Sequence, residues 1–178
     1  MLFQKIIALA FLLTGSILIP LAINAAEISS WSELVRKGNK YFKKSDSLPF
    51  TGVLKNFNES GSVSLRGSFK DGFQHGDFLT FHENGTISLK GQFKLGKQNG
   101  LWTEFYDDGS IHWKLKYFDG MKADGLFLMF HKNGKMKSKV TYKNNLPATN
   151  WIYYNEEGKE ERIDIYENGK FFYEKHLN

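Results

Sequence analysis

Gly76-Asp77-Phe78-Leu79-Thr80-Phe81-His82-Glu83-Asn84-Gly85 returns 24 residues on as Gly100-Leu101-Trp102-Thr103-Glu104-Phe105-Tyr106-Asp107-Asp108-Gly109. Each copy opens on glycine, carries aromatic residues at the same two places and ends on Asn-Gly or Asp-Gly. Strand-like alternation running into such a dipeptide reads as the first half of a β-hairpin. Working outward, the plan restarts at Gly52, Gly76, Gly100, Gly125 and Thr149, so five units run over 52–172. The first aromatic or large apolar landmark is Leu54, Phe78, Trp102, Phe127 or Trp151. The second is Phe57, Phe81, Phe105, Phe130 or Tyr154. Turn dipeptides end at Gly61, Gly85, Gly109, Gly134 and Gly158, and a further glycine, replaced by Asn145 in the fourth unit, closes each unit.

Units this short leave no room for a crossover helix, so neighbouring strands must be antiparallel. An isolated hairpin is unstable in water, whereas stacked hairpins bury one another's aromatic residues. The expected fold is therefore all-β, an elongated antiparallel meander of stacked β-hairpin repeats. In this reading the Asn-Gly and Asp-Gly dipeptides form two-residue turns with positive φ at both positions. The pairs across the third hairpin are then Trp102 with Leu115, Phe105 with His112, and Tyr106 with Ile111.

Composition supports a folded chain and removes several chemistries. Of 178 residues, 16% are aromatic, only 3 are proline and none is cysteine. That excludes disulfides, thiolate nucleophiles and Cys-ligated metal centres, so packing alone must hold the fold. With 24 Lys and Arg against 19 Asp and Glu, the net charge of +5 favours anionic surfaces only weakly and does not indicate nucleic acid.

The flanks read differently. Lys5 precedes an apolar run from Ile6 to Ile23, broken by Thr14, Gly15, Ser16 and Pro20 and ending at Ala25 and Ala26. Residues 1–26 read as a secretory signal peptide. A retained membrane anchor is the alternative, since about 18 apolar residues can cross a bilayer. Either way the remainder is expected to be exported, to a periplasm or the outside. Over 27–51, Ser30 and Glu33 have capping-box spacing and Gly38 stands where a helix would close, which predicts a short cap helix followed by a lead-in strand. Residues 173–178 read as a tail.

The recurring Gly-x-Phe-x-x-Phe-x-x-Asn-Gly of Gly76 to Gly85, with Gly91-x-Phe93-x-x-Gly96, and its counterpart from Gly100 to Gly120 resemble the MORN-repeat variant family, and among it bacterial YwqK-family antitoxin proteins. Tyr41 to Gly52 is similar to the family's opening segment, and the match covers residues 40 to 172. The resemblance implies a hairpin-repeat scaffold and, where the family's name applies, a toxin as protein partner. Departures at Asn145, Thr149 and the unit after Ser138 suggest that the last units are atypical caps.

Alternation divides the side chains between two faces. One carries Phe78, Trp102, Phe127 and Trp151 with Val63, Leu65, Ile87, Leu89, Ile111, Trp113, Phe69, Phe93 and Tyr117, and reads as core. The other carries Phe57, Phe81, Phe105, Phe130 and Tyr154 beside Arg66, Lys90, Lys114 and Lys139. A β-bulge in either strand would carry Phe105 and its equivalents to the core face. From this second face come the candidate binding residues Phe81, Phe105, Phe130, Lys90, Lys114 and Lys139. Ordinary cross-strand packing with solvated lysines is the competing reading of the same pattern.

Chemistry is sparse. His75, His82, His112, His131 and His176 form no cluster at zinc spacing and read as surface residues. Asp107-Asp108 and Glu156-Glu157 fall in turns, where carboxylates serve local hydrogen bonds. No phosphate loop or nucleophile elbow is present. Neither an enzyme, a cofactor nor a metal is expected. The function expected is a binding scaffold for a protein partner. The alternative is a scaffold that lies on anionic lipid or glycan through the lysine and aromatic strip.

Overall fold

Asp71-Gly72, Leu95-Gly96, Asp119-Gly120, Asn144-Asn145 and Asn168-Gly169 all have positive φ at both residues, which is the geometry of a two-residue hairpin turn. These are the connections between units, so the tight turn lies at the opposite end of the strands from the one expected. At the Asn-Gly and Asp-Gly end only the glycine has positive φ. There Gly109 N donates to Tyr106 O at 3.0 Å and Tyr106 N to Ser110 O at 2.8 Å. That is a three-residue loop, a β-turn over Asp107-Asp108 followed by a left-handed glycine, and the other four units repeat it.

The computed structural model describes residues 26–45 and 47–177. Its strands are β1 (Ala26–Ile28), β2 (Leu34–Lys37), β3 (Lys40–Lys43), β4 (Gly52–Phe57), β5 (Val63–Lys70), β6 (Phe73–Phe81), β7 (Ile87–Lys94), β8 (Lys97–Phe105), β9 (Ile111–Phe118), β10 (Met121–Lys122), β11 (Gly125–Phe130), β12 (Met136–Lys143), β13 (Leu146–Pro147), β14 (Trp151–Tyr154), β15 (Glu160–Glu167) and β16 (Lys170–His176). From β4 to β16 the strands pair antiparallel in chain order, with β10 and β13 as short lead-ins to β11 and β14. The expected antiparallel meander is present. β1 adds to the first edge, pairing parallel with β4, while β2 and β3 form a separate hairpin.

The expected cap helix is absent. Ser30 does cap a turn, its Oγ accepting from Ser32 N at 3.0 Å, but only the single 3-10 turn Trp31–Glu33 follows. Leu34 is already extended. Glu33 O accepts from Lys44 N at 2.8 Å, so pairing with β3 satisfies a carbonyl that a helix would have satisfied internally. Gly38, with φ +62, turns β2 into β3. The capping role itself survives, because Leu34 and Phe50 are buried with Ile28, Leu54 and Phe69, and Trp31 and Tyr41 pack their rings on Phe69.

The signal-peptide reading falls outside the described residues except at Ala26, which begins β1 and pairs with Gly52. At the other end the expected tail continues the last strand to His176.

Register confirms part of the face assignment and corrects part of it. Trp102 lies opposite Leu115, as expected. Beyond it the ladder slips, with Glu104 opposite Trp113 and Phe105 opposite Ile111, so His112 is the extra residue of a β-bulge. The same slip sets Phe57 against Val63, Phe81 against Ile87 and Phe130 against Met136. Phe105 keeps its place in the alternation of β8, because the extra residue is on β9. It is Ile111, with Val63 and Ile87, that leaves the core face.

The core face is a continuous aromatic layer. Trp102, 2% exposed, packs against Phe78, Phe93 and Tyr117 at centroid distances of 5.8, 5.2 and 6.1 Å. Phe127 joins Trp113, Tyr142 and Trp151 farther along. At the bulges the extra residue bonds back across this face, Ser88 Oγ to Thr80 Oγ1 at 2.7 Å and His112 Nδ1 to Glu104 Oε2 at 2.5 Å.

Candidate binding face

Every second residue of β6, β8, β11 and β14 turns away from the aromatic layer, and the strand registers align these residues into one row. Arg66 lies opposite Leu79, Leu79 opposite Lys90, and Lys90 opposite Thr103. Thr103 lies opposite Lys114, Lys114 opposite Leu128, Leu128 opposite Lys139, and Lys139 opposite Ile152. Cations from the returning strands thus alternate with Leu79, Thr103, Leu128 and Ile152. Two strand spacings, about 10 Å, separate one cation from the next.

Phe105 stands beside this row. With Leu101, Thr103, Ile111, Lys90 and Lys114 it lines an open depression of about 440 Å³. The structure therefore brings three of the candidate residues, Phe105, Lys90 and Lys114, to one place. By strand alternation Phe81 and Phe130 occupy the same position one repeat to either side. Lys139 lines the next depression, about 500 Å³, with Leu126, Thr141 and Ile152. Its Nζ lies 5.5 Å from the Tyr154 ring centroid, and the hydrogen bond that the lysine donates to the tyrosine hydroxyl holds its pKa above the ordinary lysine value.

The row is electrostatically one-sided. At its start Lys55, opposite Arg66, is neutralised by Glu27 at 2.8 Å. Among the described residues, no carboxylate pairs with Arg66, Lys90, Lys114 or Lys139. Asp77, on the same face of β6 as Leu79, accepts from Gln92 Nε2 at 3.0 Å rather than from a cation, and other acidic side chains lie in the three-residue loops. There Lys132 holds Asp107 at 2.6 Å, and that hydrogen bond keeps the Asp107 carboxyl below its usual range.

Three histidines expected at the surface are half-buried and structural. His82 Nε2 lies 3.0 Å from Phe105 O and His131 Nε2 2.8 Å from Tyr154 O, so each ties its loop to the end of the next unit's first strand. His112 bonds Glu104 rather than lying opposite Phe105. Among the described residues no group of three His, Asp or Glu is placed to hold a metal ion.

The sequence reading expected successive hairpins to join and the cations to share one face, but it did not give the residue pairs between repeats, nor the arrival of Ile111 beside Phe105. It also missed exposed apolar residues along the tight-turn edge, Leu95, Phe118, Met121 and Leu146, of which Phe118 is 70% exposed. The available signal was an apolar residue in or flanking each closing dipeptide.

No curated protein matches the chain. Residues 74–95 and 123–144 match the family model described as MORN repeat variant, and each segment starts just past one tight turn and ends within the next. In those two segments the chain carries repeats of the MORN variant type.

Proposed function

We propose that the part of this chain beyond its apolar leader is exported and acts as a non-catalytic scaffold, holding a protein partner on the face that bears Phe81, Phe105 and Phe130 with Lys90, Lys114 and Lys139. An antitoxin holding its toxin is the form of this relation that the sequence resemblance implies. One observation carries the reading: the register-aligned row of cations without carboxylate partners, running beside half-buried aromatic residues. Rigid aromatics give contact area at little entropic cost, and flanking cations speed and orient the encounter with an acidic partner. Repeats of the MORN type are non-enzymatic binding modules, which agrees with this use of the sheet.

Photoreactive residues installed at Leu79 and Leu128 in the producing cell test it. Both should cross-link to one protein species. That product should be lost in Phe105→Ala with Lys114→Glu and kept in Lys170→Glu. Equal cross-linking from Lys135 in a loop, or indifference to Phe105→Ala, would reject this face.

The same cations favour a second reading, attachment to anionic lipid. It predicts binding to phosphatidylglycerol vesicles that falls steeply as salt rises and survives Phe105→Ala, whereas a protein interface centred on Phe105 is weakened by that substitution.

A further inference from the structure

The spacing of the cations deepens this reading, on which the inference rests. Arg66, Lys90, Lys114 and Lys139 are separated by paired strands, so their period is set by backbone hydrogen bonding at about 9.4–9.8 Å. A polypeptide in an extended β conformation repeats its side-chain direction every second residue, about 6.6 Å, and falls out of step after one cation. A polyproline II helix has three residues per turn at about 3.1 Å each, so every third residue returns to one side after about 9.3 Å.

We propose that the partner segment is an acidic polyproline II stretch, carrying Asp or Glu at every third position, laid across the strands along the row from Arg66 to Lys139. Its carboxylates meet the cations, while the residues between them cover Leu79, Thr103 and Leu128 and reach toward Phe105 and Ile111. The charge pattern is complementary along the run, because among the described residues no carboxylate forms an ion pair with Arg66, Lys90 or Lys114, and Asp77, the acid on this face near Lys90, is bonded to Gln92. The aromatic residue beside the row supplies the flat apolar wall on which such helices dock. Sheet twist turns successive cations about the row axis, and a helix without internal hydrogen bonds can follow that twist. Four cations span about 30 Å, the length of about ten residues in this conformation.

The test uses the chain without its apolar leader and three synthetic peptides of about twelve residues. One repeats Glu-Leu-Pro, one has the same composition with the glutamates in blocks, and one repeats Glu-Leu-Gly. The periodic proline peptide should bind at least about tenfold more tightly than the blocked one. It should also bind more tightly than the glycine peptide, which must lose more freedom on ordering. Lys90→Gln with Lys114→Gln, both on the strand surface, should remove about tenfold of that affinity while leaving the circular dichroism spectrum unchanged. Equal binding of periodic and blocked peptides would overturn the proposal, as would equal binding of the proline and glycine peptides. Tighter binding of an oligogalacturonate than of any peptide would overturn it in favour of an acidic polysaccharide. If no peptide binds while the Leu79 and Leu128 cross-links persist, this inference fails and the binding-face reading stands. If the cross-links also fail, both fall.

Discussion

Tyr106 Oη donates a 2.9 Å hydrogen bond to the carbonyl of Phe130, one unit further along the chain. His82 to Phe105 and His131 to Tyr154 make the same connection from equivalent positions, and Asn84 and Asn133 donate to the carbonyls of Asp107 and Glu156 beside them. The second, third and fourth loops are thus each stitched to the next, so this part of the three-residue end of the sheet is held by side chains as well as by strand pairing. Tyr106→Phe keeps the ring and removes only this donor. It should cost about 0.5–1.5 kcal/mol, read as a lower urea midpoint at unchanged slope. An unchanged midpoint would show that the stitch contributes nothing net.

Burial is the first cause holding the pKa values of Tyr106, Tyr153 and Tyr166 above the ordinary 10.0. A raised folded-state value means that the native chain keeps these protons longer than the unfolded chain does. The stability they contribute is complete below the unfolded value and is lost as pH climbs through the folded ones. The urea midpoint should therefore fall on the alkaline side of pH 10.0, and Tyr106→Phe should fall less steeply there than the parent chain. An identical alkaline decline in both would remove Tyr106 from this account.

Gly91 lies under the Trp102 ring, and a Cβ built on it would meet Trp102 Cδ2 at 2.2 Å. Its counterpart Gly67 would meet Phe78 no closer than 3.6 Å. Gly91→Ala should cost about 1–3 kcal/mol by overpacking. Gly67→Ala should leave the chain as stable, or raise stability by up to about 1 kcal/mol through the unfolded state. Thermal midpoints of the two variants decide it, and similar losses in both would contradict the packing argument.

Leu95 occupies the first position of its tight turn at φ +51 and is 59% exposed, where the other four turns have Asp or Asn. An L-residue without a short polar side chain is held in the left-handed region there at a cost of about 1–2 kcal/mol. Leu95→Asn should recover about 1 kcal/mol of that, seen as a higher denaturation midpoint. A loss instead would mean that the exposed leucyl side chain is itself stabilising.

Trp102→Ala removes the most enclosed indole of the aromatic layer and should cost about 3–5 kcal/mol. Phe105→Ala opens a side chain on the opposite face and should destabilise much less, while weakening partner binding by about 1 kcal/mol or more. Paired unfolding and binding measurements separate the two residues. If Phe105→Ala unfolds the chain as badly as Trp102→Ala, the candidate face is core.

The repeat period, the antiparallel order and the burial of Trp102 opposite Leu115 were legible in the sequence. All three follow from local rules: alternation sorts the faces, and a glycine every few residues marks where the chain reverses. The choice between the two glycine-bearing ends was not legible. Asp108-Gly109 and Asp119-Gly120 are the same dipeptide, yet one ends a three-residue loop and the other is a two-residue turn. Local preference admits both, and only the register of the paired strands distinguishes them. That register also moved Ile111 beside Phe105, against its place in the simple alternation. The N-terminal segment shows the same limit, because Ser30 and Glu33 do start a helical turn. Pairing of Leu34 and Val35 with β3, and burial of Leu34 against the first aromatic cluster, then outweighs the weak local preference for helix. The row from Arg66 to Lys139 depends on the residue pairing between one unit and the next. Each lysine was visible in the chain, but only hydrogen bonding between neighbouring repeats could align them across the sheet and set their spacing.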